Sequence, residues 1–170
     1  MRLLITAALT SLAAGSASAG QATIGVEIPR LAVAEYHKPY VAFWLESADG
    51  TRIVNLAVWY DAKLKDNEGT KWLKDMRQWW RRIGRELALP ADGVSSPTRP
   101  PGRHELVFDD KAAPFKDLAP GSYQLSVEAA REVGGREVLR IPFEWPAKAP
   151  LKLGAQGDNE ITAVTLTIAP

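Results

Sequence analysis

The chain has 170 residues, with 21 basic and 20 acidic side chains and no cysteine. The near balance of charge argues against nucleic acid or an acidic membrane as the main partner. The missing cysteines exclude disulfides, thiol redox chemistry, iron–sulfur ligation and covalent c-type haem.

The N-terminus reads Met1-Arg2, then an apolar run from Leu3 to Ala14, then a more polar stretch ending in Ala17-Ser18-Ala19. A positive start, a short apolar centre and a small-x-small end are the three parts of a secretory signal peptide. The run is shorter than the roughly 20 residues a bilayer span needs. Cleavage is expected after Ala19, leaving residues 20–170 as a single exported domain large enough for a core of its own. No other segment is apolar enough to cross a membrane, so a soluble product is expected.

Period-two alternation predicts strands over Ala22–Leu31, Tyr40–Glu46 and Ile53–Tyr60, the last two joined by a hairpin turn at Asp49-Gly50. Thr70–Leu89 changes period. Trp72, Met76, Trp79 or Trp80, Ile83 and Leu87 recur at helical spacing, while Lys71, Lys74, Arg77, Arg81, Arg82 and Arg85 fill the other positions. This is an inserted amphipathic helix with a basic outer face. Its apolar stripe points to packing on a sheet, and its basic face to docking on an anionic membrane or partner. Pro90 ends it and opens a polar loop from Ala91 to Gly102.

A short strand follows at His104–Phe108. Ser122–Glu132 and Glu137–Trp145 form a hairpin closed by Gly134-Gly135, and Glu160–Ile168 is the final strand. Between the short strand and that hairpin, Pro120-Gly121 makes a turn that delivers Tyr123 into a strand at a corner. About seven strands without a βαβ rhythm indicate a mainly β fold, an antiparallel sandwich of the immunoglobulin or prealbumin kind.

Enzyme constellations are scarce. His37 and His104 have no companion at metal spacing, and the acidic run from Asp61 to Gly69 lacks the alternating oxygen ligands of a calcium loop. No Gly-x-Ser-x-Gly elbow or phosphate-binding glycine loop is present. A redox carrier or a non-catalytic binding module is therefore favoured over a classical enzyme.

The most distinctive loop is Asp92-Gly93-Val94-Ser95-Ser96-Pro97-Thr98-Arg99-Pro100-Pro101-Gly102. Its prolines fix φ and remove N–H donors, so it is expected to stand outside the sheets. Thr98 beside Arg99 is expected to present an exposed hydroxyl next to a cation, a place to hold a phosphate.

Four stretches resemble the predicted periplasmic proteins of domain-of-unknown-function family 2271. They are Lys38–Glu46, Lys71-Trp72-Leu73, Thr98–Gly102, and Gly121-Ser122-Tyr123 running through Glu128–Glu132. The resemblance implies a periplasmic location and, in some members, association with membrane redox proteins of the PepSY type. The loop also resembles the acceptor motif of periplasmic flavin transferases, Asp-x-x-(Ser/Thr)-(Gly/Ser)-Ala-Thr, which receives FMN on its last threonine through a phosphodiester. Carried over, Asp92 is the acidic start, Ser95 the first hydroxyl, Ser96 the small residue and Thr98 the acceptor. Pro97 stands where alanine is expected, and Arg99 lies where it can meet the phosphate. The resemblance thus implies a flavin-bearing electron carrier served by a flavin transferase and a PepSY-type membrane partner. The alternative is a periplasmic binding module without a cofactor, using the basic helix or the proline-rich loop.

Overall fold

Side chains on an extended chain alternate between two faces, and burial along each strand shows which faces are covered. In the computed structural model, which describes residues 20–170, strand β1 (Gln21–Ile28) buries Ala22, Ile24, Val26 and Ile28 and leaves the residues between them more exposed. The predicted signal peptide and its cleavage point lie outside the described residues. Strand β2 (Tyr40–Ser47) behaves differently, because Tyr40 to Leu45 are all buried. A strand covered on both faces is the middle of a layered structure.

The remaining strands are β3 (Ile53–Tyr60), β4 (Ser95–Pro97), β5 (Gly102–Asp109), β6 (Gly121–Ala130), β7 (Arg136–Trp145), β8 (Leu151–Gln156) and β9 (Ala163–Ala169). They form a four-stranded sheet in the order β5-β1-β9-β8 and a five-stranded sheet in the order β4-β3-β2-β6-β7. Every pairing is antiparallel except β3–β4. The fold is a β-sandwich of nine strands, two more than the alternation predicts. Those two are β4, whose three residues Ser-Ser-Pro carry no apolar signal, and β8, an edge strand interrupted by Gly154. The last strand begins at Ala163, because Glu160 is held in the turn before it.

Between the sheets lies one apolar core. Val41, Phe43 and Leu45 of β2 meet Ile24 and Val26 of β1 and Leu166 of β9 there. Phe115 and Leu118, from the connection between β5 and β6, join the same core. A tyrosine corner ties that connection down, since the Tyr123 hydroxyl donates to the Ala119 carbonyl at 2.8 Å.

The segment predicted as one helix is helical in three pieces. A 3-10 stretch (Lys65–Asp75) is followed by α1 (Arg77–Arg82) and a 3-10 turn (Gly84–Glu86). Its apolar stripe faces the sheet: Leu73, Met76 and Trp79 are fully buried against Ala42, Trp44 and Val58 on the outer face of the five-stranded sheet. Two contacts account for the breaks. Glu128 of β6 captures the N–H groups that begin α1, and Gly84 packs against the Trp79 ring, where a β-carbon would come within 2.5 Å.

The predicted Asp49-Gly50 turn is present. Gly50 takes a positive φ of 69°, and the Asp49 carboxylate accepts from the Ser47 and Thr51 hydroxyls and the Thr51 N–H. Those bonds lower its pKa to about 2. In the β6–β7 turn the left-handed residue is Val133, at φ 53°, rather than either glycine. Gly134 is needed there for space, because a β-carbon would lie 2.4 Å from the Arg131 guanidinium.

Candidate functional site

The outer face of the five-stranded sheet carries polar groups that the inner face lacks. Glu128 is fully buried there and accepts from the N–H of Trp79 at 2.8 Å, the N–H of Gln78 at 3.0 Å and Arg136 Nη1 at 2.9 Å. A carboxylate at the start of a helix satisfies donors that have no partner within the helix. A register irregularity between β2 and β3 sets Asn55 opposite Trp44, and Asn55 Oδ1 receives the Trp79 indole N–H at 3.1 Å. These contacts fix the helical layer on the sheet.

Beside that layer, a cavity of about 340 Å3 opens between the β1–β2 connection, the segment after β3 and the end of β6. Tyr36, Tyr40 and Trp72 give it aromatic walls, and Asp61, Asp75 and Glu132 place carboxylates around it. The positive groups are Lys38 and Arg131. Arg131 is committed to Glu160 through bonds of 2.9 and 3.1 Å, with both side chains almost fully buried. That leaves three carboxylates around the cavity against the Lys38 ammonium. His37 lies 3.0 Å from Glu35 and 3.5 Å from Glu132.

The two tyrosines differ in how they are held. The Tyr40 hydroxyl donates to the Gly69 carbonyl at 3.0 Å, and burial pushes its pKa up to about 12. Gly69 is required at that point, since a β-carbon would lie 2.1 Å from the Asp61 carbonyl oxygen. The Tyr36 hydroxyl is buried with no hydrogen-bond partner among the described residues. Burial raises its pKa, with Glu160 adding to the rise and Arg131 and Arg30 opposing it. An orphaned buried hydroxyl at the wall of a cavity is an open binding capacity.

The residues singled out in the loop occupy other positions. Asp92 is exposed, and the Ser95 hydroxyl accepts the Ala91 N–H at 3.0 Å, closing the turn that contains Gly93 at φ 71°. Ser95, Ser96 and Pro97 pair in parallel with Val58, Trp59 and Tyr60, so the loop expected to stand outside the sheets supplies an edge strand. Proline is tolerated on an edge, where its missing N–H costs no ladder bond. The Thr98 hydroxyl is half-buried and donates to the Pro39 carbonyl at 2.5 Å, while its N–H donates to the Tyr60 carbonyl at 3.2 Å. The Arg99 guanidinium lies over the Trp59 ring at 5.3 Å, a cation–π contact.

An FMN phosphodiester on Thr98 would require these contacts to change. The acceptor hydroxyl is engaged and partly covered, and the cation expected beside the phosphate is stacked on an indole.

Sequence reasoning missed the cavity itself, but its signal was at hand. The stretches Lys38–Glu46, Lys71–Leu73 and Glu128–Glu132 share one family resemblance, and Lys38, Tyr40, Trp72, Ala130, Arg131 and Glu132 from all three line the cavity. Thr98 belongs to the same neighbourhood through Pro39. Tyr36, Asp61 and Asp75 lie in connections whose spacing carries no motif.

A family model described as "Predicted periplasmic protein (DUF2271)" matches residues 21–163. No curated protein and no solved structure matches the chain. Among the described residues, no helix is long and apolar enough to cross a membrane.

Proposed function

The chain belongs to the DUF2271 family of predicted periplasmic proteins, and from that premise we propose that it is a periplasmic binding module for a small organic cation. The observation that supports this reading is the make-up of the cavity at the end of β6. Tyr36, Tyr40 and Trp72 supply aromatic rings, and Asp61, Asp75 and Glu132 outnumber the one positive group, Lys38, that has no ion-pair partner among the described residues. Aromatic rings attract cations through the negative charge of their faces, and carboxylates add a longer-range attraction. The reading is of a binding protein that holds the cation by cation–π and charge attraction.

Calorimetric titration with tetramethylammonium and choline, against glucose as a neutral probe, tests it. Saturable binding of the two cations is expected, weakened about tenfold in Trp72→Ala, the loss of one cation–π contact of about 1.4 kcal/mol. Absence of binding by both cations would refute it.

The second reading is an FMN-bearing electron carrier modified at Thr98 and working with a PepSY-type membrane protein. Its support is the order Asp92, Ser95, Ser96, Thr98 in the loop, and it requires β4 to leave the sheet edge and Thr98 to release Pro39. The intact mass of protein exported alongside a flavin transferase decides it, because an unshifted mass excludes the modification.

A further inference from the structure

A second cavity, of about 400 Å3, opens toward the other end of β2 and β6, under α1. Its floor is a row of three side chains in direct register across adjacent strands: Trp44 on β2, Ser126 on β6 and Arg140 on β7. Register partners share a face of the sheet. Trp44 is 2% exposed and Ser126 1% exposed. Gln124 also lines the cavity from β6, and Gln78 and Arg82 line it from α1.

The floor has more donors than acceptors. The Trp44 indole N–H is buried and has no hydrogen-bond partner among the described residues. An indole can only donate, so it needs an acceptor. Arg140 spends one N–H on Gln78 Oε1, and a guanidinium has five. Of the carboxylates on the cavity wall, each has one oxygen engaged and one with no hydrogen-bond partner among the described residues. Glu46 is paired with Arg82 at 2.6 Å, and one Asp49 oxygen accepts three bonds within its own turn.

We infer that this cavity binds a small oxyanion, a carboxylate or a phosphate, which accepts from the Trp44 indole N–H, the Ser126 hydroxyl and the Arg140 guanidinium. An oxyanion supplies several acceptor lone pairs and the charge that a guanidinium recognises best. The site does not depend on the cation cavity, shares no lining residue with it, and takes a ligand of opposite charge.

The test is an NMR titration of 15N-labelled protein at constant ionic strength, following the indole resonance of Trp44. Sodium acetate and sodium phosphate are added in separate arms. A saturable shift with acetate alone assigns the site to carboxylates, with phosphate alone to phosphates, and with both to oxyanions generally. Arg140→Gln weakens the response about tenfold or more, and Ser126→Ala serves if that variant does not fold. No saturable shift in either arm overturns the inference. A saturable shift of unchanged midpoint in both variants overturns it as well.

Discussion

The two faces of the five-stranded sheet are made from the same strands and do different work. The inner face, with Val41, Phe43, Leu45, Leu125 and Val127, meets the other sheet in an apolar core. The outer face, one residue out of phase, carries Trp44, Ser126 and Glu128 and is covered by short helical pieces instead of a sheet. Apolar surface is stabilised by burial in any close-packed arrangement, whereas buried polar groups need particular partners at particular places. Among the described residues, an indole N–H is left without a partner on the outer face at Trp44, as one is in the inner core at Trp59, but both cavities open on the outer face. The first face is closed by apolar packing alone, whereas the second also depends on particular polar contacts.

The largest expected effect breaks the inner face. Phe43→Ala removes a fully buried ring and should cost about 4 kcal/mol, lowering the urea midpoint and unfolding both layers together. Glu128→Ala comes next, at about 3 kcal/mol, because it leaves Arg136 and the start of α1 without their acceptor. It sharpens the comparison: hydrogen exchange should rise first in residues 77–82, while amides of β1 and β9 stay protected.

Thr98→Val deletes the bond from the hydroxyl to Pro39 and should cost about 1 kcal/mol in chemical denaturation. The smallest effect is one of pH. Burial opposes ionisation of Glu137, but the N–H groups of Asp158, Ile161, Asn159 and Glu160 outweigh it and hold the carboxyl below its ordinary 4.5. The folded value lies below the unfolded one, so this contribution is whole above pH 4.5 and is lost as pH falls through the folded value. Melting temperature should therefore fall on acidification more steeply in the parent than in Glu137→Gln.

Much of the sandwich was legible because its strands alternate. β1 and β9 read directly as one-faced strands, Asp49-Gly50 as the turn between β2 and β3, and Tyr123 as the corner at the start of β6. β4 was not legible, because its pairing depends on β3 rather than on any apolar residue of its own. The helical stripe was legible and its breaks were not, since Glu128 lies 50 residues beyond the N–H of Gln78 that it captures. The same holds for the cavity. Tyr36, Asp61, Trp72 and Glu132 are brought together by strand order, which local patterning does not specify. In the loop, the residues suggested a free hydroxyl, but edge pairing turned Ser95 and Thr98 inward to backbone partners.

The most direct test of the cation cavity is a map of backbone amide shifts on titration with tetramethylammonium chloride, with sodium chloride at equal ionic strength as the control. The account predicts saturable shifts concentrated at residues 36–40, 72–75 and 130–132, with the inner strands unmoved. Shifts that never saturate, or that gather on the four-stranded sheet instead, would contradict it.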